Sequence, residues 1–343
     1  MGFVILTGLI VIRIWDPMPV KTLRLQVFDS YQKIQPRPTQ ANEVLVIDVD
    51  EASLAQYGQW PWPRTIIAKL ISKLFKADVR AVGLDIIFAE PDRMSPGRLA
   101  KNLPGLNKET RDHLQEFPDH DATLANIFTK TQVVVSQSAL VHDREDNPAP
   151  PRAPPLAEIG EDPRPHLLSY SGLLRNIQGL EEAATGHGII TLNPEPDGVV
   201  RRVPALLRVG DYILPTLSLE LLRVGTPPST LSVDTDLAGI EHVTISNIQI
   251  PTDHHGRMWI HFAKLNPDRY ISAKDLLNDA VSPERLADKL ILIGSSAFGL
   301  GDNKMTPIEG ALPGVEIHAQ ILDMVSEKSF LIRSAVLSPI SRL

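Results

Sequence analysis

The sequence lacks cysteine entirely, since none occurs among its 343 residues. This absence excludes disulfide bonds, thiol catalysis and cysteine-ligated metal sites. It does not indicate a compartment, because a chain of this size needs no disulfides to be stable. Runs of lysine or arginine are also absent, and the formal net charge is −7. The electrostatic signature of a nucleic-acid-binding protein is therefore missing, and no nucleic-acid partner is predicted.

Long hydrophobic runs are absent as well. Residues 3–12 are apolar, but a membrane-spanning helix needs about 20 apolar residues. The run has neither the basic start nor the small-residue cleavage site of a secretory signal. It is either a membrane helix whose beginning is missing or an amphipathic soluble helix. We favour the membrane helix, because the apolar residues are continuous and show no 3.6-residue spacing.

Motifs for catalysis are missing too. Ser295 follows a predicted buried strand, but it has no glycine two residues later, so it does not form a nucleophile elbow. The same loop lacks the lysine and the spacing of a phosphate-binding loop. Only His254 and His255 are adjacent among the histidines, and no His-Glu-x-x-His occurs, so zinc hydrolysis is not indicated. We predict a chain without catalytic residues or a cofactor.

The hydrophobic pattern predicts an α/β fold. Residues 43–49 and 81–88 are apolar runs typical of buried strands, and residues 65–76 between them form an amphipathic helix pattern. Strand, helix and strand without polar alternation indicate a parallel sheet that is covered on both faces. A helix at 121–128 and a strand at 132–136 extend this unit.

The second half of the chain predicts antiparallel additions to that sheet. Residues 187–192 and 199–209 have the pattern of a β-hairpin, as do residues 243–250 and 257–262. The prediction is completed by a helix from Pro215 to Leu222, a strand at 289–293 and a helix at 314–325. The seven prolines within residues 147–165 predict a surface loop without regular structure. The fold class is α/β, with a mainly parallel sheet flanked by helices and extended by antiparallel hairpins.

Carboxylates follow the first two predicted strands. Because the carboxyl ends of parallel strands line the ligand crevice of such sheets, Asp50, Glu51 and Asp85 should lie at one edge. Their oxygens suit Mg²⁺ or Ca²⁺, or a cationic organic ligand. The alternative is structural, with carboxylates that cap helices and pair with Arg64. Residue patterns leave both interpretations open, and the identity of any metal is unknown.

Aromatic residues make up only 5% of the chain, yet two of the four tryptophans stand in Trp60-Pro61-Trp62-Pro63-Arg64. This segment forms either an aromatic wall, with Arg64 holding an anion or a carboxylate, or a rigid corner whose indoles pack over the sheet edge. The two prolines favour the corner.

Segments spread along most of the chain match a known family. They are residues 28–30, 46–54, 58–64, 83–88 with 90–92, 188 with 197–204, and 291–296 with Asp302, 306–307 and 313–319. In this order they resemble the second type of CHASE domain, the cyclase- and histidine-kinase-associated sensory extracellular domain.

The resemblance implies the extracytoplasmic input domain of a bacterial transmembrane receptor, located at the inner membrane with this domain in the periplasm or outside the cell. It implies membrane helices on both sides and a cyclase or kinase effector. Residues 1–22 would be a partial anchor helix and connector, 23–328 the sensory domain with a proline-rich excursion at 143–166, and 329–343 a second connector. Residues 23–31 and 314–328 would pass the signal to the membrane helices.

The predicted ligand-binding residues are Asp50, Glu51, Trp60, Trp62, Arg64 and Asp85, with Asp302 as an outer candidate. The ligand is an unidentified small molecule or ion, and the expected assembly is a homodimer. Two alternatives are a metal-dependent hydrolase that uses the same carboxylates and a structural dimerisation module.

Overall fold

The structure is a computed structural model that describes residues 17–38, 43–142, 151–227, 229–300 and 302–331, together with residue 2. The apolar run at residues 3–12, predicted to be a membrane anchor, lies outside the described residues. None of the helices in the described part of the chain is both long and apolar enough to cross a bilayer.

Helices lie on both sides of a central sheet. They are α1 (Met18–Ile34), α2 (Glu51–Tyr57), α3 (Arg64–Lys76), α4 (Pro96–Asn102), α5 (Lys108–Glu116), α6 (His120–Phe128), α7 (Gln178–Ala183), α8 (Leu217–Gly225), α9 (Ala273–Leu277), α10 (Pro283–Leu286) and α11 (Gly314–Ser326). Two 3₁₀ turns span Pro267–Arg269 and Phe298–Leu300.

The strands of the first half are β1 (Val44–Asp48), β2 (Ala81–Leu84), β3 (Val133–Leu140), β4 (Leu156–Gly160), β5 (Ser169–Tyr170), β6 (Gly172–Leu174) and β7 (Gly186–Ile189). Those of the second half are β8 (Arg202–Pro204), β9 (Leu206–Val209), β10 (Tyr212–Pro215), β11 (Leu231–Asp236), β12 (Gly239–Ile245), β13 (Ile248–Pro251), β14 (Arg257–Trp259), β15 (Tyr270–Ser272), β16 (Leu290–Gly294), β17 (Asn303–Thr306) and β18 (Gly310–Pro313).

The central sheet has the strand order β15-β1-β16-β2-β3, and all of these strands are parallel. Beyond β3 lie β7, which pairs in parallel, and β6, which pairs antiparallel. This confirms the predicted α/β fold with a mainly parallel sheet. The first two strands of the chain are separated in space, because β16 inserts between β1 and β2.

Two hydrophobic layers enclose this sheet. Val46 and Leu292 face the layer that contains α8, α11 and the strands of the second half, whereas Ile47 and Ile293 face the layer that contains α3, α6 and α9. Because both faces of the sheet are covered, residues 44–47, 81–84 and 290–294 of the central strands are apolar or glycine at successive positions instead of alternating with polar residues.

The main elements confirm the pattern-based predictions, but both predicted hairpins are wrong. β7 joins the edge of the central sheet next to β3, and β8 pairs with β14. β12 pairs with β13, not with the segment after residue 257. The first prediction fails because its two segments pair with other strands, and the second fails because a turn at residues 246–247 divides the predicted strand 243–250 into β12 and β13. The second strand is also shorter than predicted, ending at Leu84.

The proline-rich segment contains a strand that was not expected. β4 pairs in parallel with β11 and forms one edge of the four-stranded sheet β13-β12-β11-β4. The five residues of β4 contain no proline, and prolines are compatible with the flanks of an edge strand. Residues 143–150 of this segment lie outside the described part of the chain.

Candidate functional site

The carboxyl ends of three adjacent strands form the predicted edge. β1 ends at Asp48, β16 at Gly294 and β2 at Leu84, and Asp48 is in register with Gly294. The loops that follow these strands carry the predicted site residues. The structure arranges those residues in three groups along the edge.

In the first group, carboxylates hold the backbone of neighbouring loops. Asp50 caps α2 by accepting a hydrogen bond from the amide of Ser53 at 2.8 Å, and it also accepts one from Ser272 Oγ at 3.0 Å. Glu51 Oε1 accepts a hydrogen bond from the amide of Phe298 at 3.0 Å. For Asp50 the geometry is therefore that of the helix-capping alternative.

Asp48, two residues before Asp50, fixes the loop after β16. Its Oδ1 accepts a hydrogen bond from the amide of Ser296 at 2.8 Å, and its Oδ2 accepts one from Ser296 Oγ. Burial nevertheless raises the pKa of Asp48, because the two hydrogen bonds offset only part of the desolvation. The Asp48 carboxylate is thus committed to loop structure.

The second group is the tryptophan corner. Trp62 is 1% exposed, and its Nε1 donates a hydrogen bond to the carbonyl of Gly58 at 2.8 Å. The rings of Tyr57 and Trp60 each lie 5.8 Å from that of Trp62, measured between centroids. Trp62 is therefore part of the core, as in the rigid-corner interpretation, while Trp60 is half-buried at the rim.

Arg64 begins α3 and is buried beside the loop that follows β2. Its Nη2 donates to the carbonyl of Glu90 at 2.7 Å, its Nε lies 3.3 Å from Asp121 Oδ1, and its guanidinium covers the ring of Phe88 at 4.4 Å. Its amide donates to Asp92 Oδ2 at 2.8 Å. Arg64 pairs with Asp121 and not with the strand-end carboxylates that sequence reasoning offered as partners.

Trp60, Trp62 and Arg64 line one open cavity of about 360 Å³, together with Pro61 and residues 86–93. The structure thus brings these three predicted residues together. Asp85 immediately precedes residues 86–93, which form one wall of this cavity.

The third group contains Asp85, Asp302 and Lys304. The pKa of Asp85 is raised to about 7, mainly by burial and also by the charge of Asp302, while the charge of Lys304 opposes both. Lys304 Nζ lies 2.6 Å from Asp302 Oδ1. Among the described residues, no hydrogen-bond donor reaches the carboxylate of Asp85. Because Asp85 is partly buried, has a raised pKa and lacks such a donor, its carboxylate can accept a proton or a cationic group.

Helix α11 begins in contact with this third group. The amide of Gly314 donates to the carbonyl of Asp302 at 2.7 Å, and a Cβ at position 314 would lie only 1.9 Å from Asp302 Oδ2. A Cβ on Gly294 would lie 2.6 Å from that of Val315. The absence of side chains at both glycines lets the start of α11 pack directly against the strand end and Asp302.

One helical turn further, His318 lies buried, with Nδ1 2.8 Å from Ser218 Oγ on α8. The pKa of His318 is lowered to about 4, mainly by burial and also by the charge of Lys304. Sequence reasoning did not select His318, Ser218 or Lys304 as site residues. Two signals in the sequence point towards His318: it lies in the segment 313–319 that carries the family resemblance, and helical spacing places it on one face with residue 314.

At its other end, α11 joins a buried cluster of charges at the amino edge of the sheet. Asp323 contacts both Arg269 and Arg37, and Glu327 contacts Arg37. In the first turn of α11, Glu316 Oε2 accepts a hydrogen bond from the hydroxyl of Tyr270 at 2.7 Å, and burial and this carboxylate raise the pKa of the tyrosine. Arg37 follows α1, so this cluster links α1 to α11.

No set of three or more histidine, aspartate or glutamate side chains has a metal-binding arrangement in the portion of the chain that is described.

An α/β domain with a polar edge and a terminal helix that starts at that edge is compatible with a sensory role. The family model of the CHASE2 domain matches residues 4–341, essentially the whole chain. The protein therefore belongs to the CHASE2 domain family, whose members are sensory, non-catalytic, extracellular domains of cyclase and kinase receptors. No curated protein and no solved structure matches the chain.

Proposed function

We propose that this chain is the extracytoplasmic, ligand-sensing input domain of a bacterial transmembrane receptor that controls an adenylate cyclase, a diguanylate cyclase or a kinase. The domain carries no catalysis of its own. In the receptor it lies in the periplasm or outside the cell, and flanking helices attach it to the inner membrane.

The observation that carries this proposal is the path of α11. The helix has 13 residues and spans about 20 Å. It starts against Asp302 and Gly294 at the carboxyl edge and ends beside Arg37 at the amino edge. Twelve of its residues are buried. A rigid, enclosed helix that contacts the predicted ligand edge at one end and α1 at the other is suited to transmit a displacement.

The Asp85 carboxylate is the contact through which a ligand would act. A cationic group at Asp85 replaces the missing hydrogen-bond partners and competes with Lys304 for the negative charge of Asp302. Release of Lys304 changes the contacts at the start of α11, because Asp302 lies against Gly314. The ligand shifts the receptor only if it binds the two arrangements with different affinity.

Trp60, Trp62 and Arg64 would form the neighbouring part of the same binding region. The half-buried ring of Trp60 offers an aromatic face, and the cavity beside it has room for a small organic molecule. We therefore propose a small ligand with a cationic group at Asp85 and an apolar part against Trp60. Asp50 and Glu51 would support the loops instead of contacting that ligand.

A thermal-shift screen of small cationic molecules and metal ions on the 343-residue chain tests the proposal. A ligand that raises the melting temperature of the wild type should lose its effect with Asp85→Asn and keep it with Asp112→Asn, a matched change on the exposed face of α5. In the full receptor, Asp85→Asn should abolish the ligand response of the effector, and Asp112→Asn should leave it unchanged.

Equal stabilisation of the wild type and the Asp85→Asn variant would place the ligand elsewhere and reject this site. A constitutive dimer that no ligand stabilises, with an effector output that stays constant, would instead support the structural dimerisation module.

A further inference from the structure

Helix α1 has two distinct faces, and one of them is fully used within the domain. Asp29 binds the guanidinium of Arg201 through both carboxylate oxygens, at 2.6 and 2.7 Å. The ring of Phe28 packs 4.7 Å from that of Trp259, and Gln32 bonds to the backbone of Ile260. These contacts fix α1 as a formed helix against the second-half strands.

The opposite face of α1 presents an apolar stripe to solvent. Its members are between 39% and 80% exposed, and they are Val20, Leu23, Val27, Tyr31 and Ile34. None of them lies in a hydrophobic cluster of the described residues. Contiguous exposed apolar side chains of this kind mark an interaction surface.

The spacing of the stripe identifies the occupant. Val20, Val27 and Ile34 recur every seven residues, and Leu23 follows the first of them by three. In heptad terms β-branched residues occupy the three a positions, leucine occupies the first d position, and Ser30 occupies the second. This combination favours parallel, two-stranded coiled coils. We propose that a second copy of this chain covers the stripe, so that the α1 helices of two protomers pack in parallel about a twofold axis.

The flanks of the stripe permit such a pair. In a parallel coiled coil each g position faces the e position of the next heptad on the partner helix. Here Gln26 faces Tyr31, and Pro19 faces Arg24, so no like charges oppose each other. A bilayer surface fits less well, because membrane-surface helices need a broad apolar face, whereas Gln26 borders this narrow stripe and Ser30 interrupts it.

The short length of α1 does not prevent pairing. A helix of 17 residues is marginal in water by itself, because nucleating it is unfavourable. The contacts of Asp29, Phe28 and Gln32 already hold α1 in its helical form, so association does not have to pay for helix formation. The proposed interface is independent of the ligand site, since it can form whether or not Asp85 binds anything.

The absence of native cysteine makes a direct test simple. Single Val27→Cys and Thr22→Cys variants of the 343-residue chain are oxidised under mild conditions. Val27 is at an a position next to its symmetry mate, whereas Thr22 is exposed on the same helix but off the stripe. We expect a covalent dimer with Val27→Cys and little with Thr22→Cys.

Sedimentation velocity on the chain without cysteine provides the second measurement. The wild type should dimerise, and Val27→Glu should weaken dimerisation by about tenfold or more, since it places a charge in the seam of the coiled coil. The circular dichroism spectrum should not change, because Val27 has no packing role inside the domain.

Three outcomes would overturn the proposal. They are a monomer at every concentration measured, equal cross-linking at positions 22 and 27, and a dimer that persists in Val27→Glu. A monomeric chain that binds phosphatidylglycerol vesicles, and loses this binding with Val27→Glu, would assign the stripe to a membrane surface instead.

Discussion

The guanidinium of Arg37 and the carboxylate of Asp323 lie 3.6 Å apart, measured from Nη2 to Oδ2, and each side chain is 1% exposed. Arg37 follows α1, whereas Asp323 is in the last turn of α11. The pair therefore joins, inside the protein, the two helices nearest the ends of the described chain. Removal of Arg37 takes a cation out of this buried cluster of charges and leaves its carboxylates in excess, which is far costlier than loss of a surface ion pair.

Arg37→Met should lower the free energy of unfolding by about 3–5 kcal/mol, because Asp323 and Glu327 both lose a contact with a buried cation, although Asp323 keeps the one with Arg269. Urea denaturation at pH 7 measures this loss, with Arg98→Met, an exposed arginine on α4, as the matched control. The deficit should shrink at acid pH, since protonation of Asp323 reduces the excess negative charge of the cluster. A loss comparable to that of the control would show that Asp323 does not depend on Arg37.

Asp85→Asn should change how stability depends on pH. The pKa of Asp85 rises from 3.8 to about 7 in the folded protein, so between these values the folded state holds a proton that the unfolded state has released. This makes the free energy of unfolding fall as pH rises through that window, by up to about 1.4 kcal/mol per pKa unit. The asparagine variant should therefore gain stability relative to the wild type from pH 4 to pH 7, and then keep a constant difference. A difference that does not vary with pH would contradict the raised pKa.

His318→Asn should reveal a slope of the opposite sign. Because its pKa falls from 6.5 to about 4 in the folded protein, the unfolded state binds the extra proton in this window. The wild type should lose stability as pH falls from 6.5 to 4, and the variant should lose less. Urea denaturation at several pH values measures this difference, with the exposed His113→Asn as the control. Identical slopes for His318→Asn and the wild type would rule out a buried neutral histidine.

The two tryptophans of the corner should differ in their effect on stability. Trp62→Ala should cost about 3–5 kcal/mol, because it empties a buried site and leaves the Gly58 carbonyl without its donor. Trp60→Ala should cost about 1 kcal/mol or less, since the side chain is half-buried at the rim. Thermal denaturation of both variants checks the order. If Trp60 proved the costlier residue, the division between core and rim would be wrong.

Local patterns predicted the elements that position the site. The apolar runs of β1 and β2, with the amphipathic α3 between them, placed Asp50 and Asp85 at one edge. The patterns could not show that β16 separates these strands, because that pairing joins residues far apart in sequence. The same limit hid His318 and Ser218, and also Arg37 and Asp323. Their chemistry arises from tertiary contacts, which residue spacing along one element does not report.

The strand inside the proline-rich segment has a consequence for how the protein behaves in concentrated solution. β4 is the edge of its sheet, its side chains are largely exposed, and Pro155 and Pro163 flank it. An open strand edge is a template for pairing with other chains, and prolines and charges are the usual protection. Glu158 on β4 is held by Arg164 at 2.7 Å. We therefore expect that removing these prolines and charges would leave folding nearly unaffected while making the folded protein prone to aggregation through this edge.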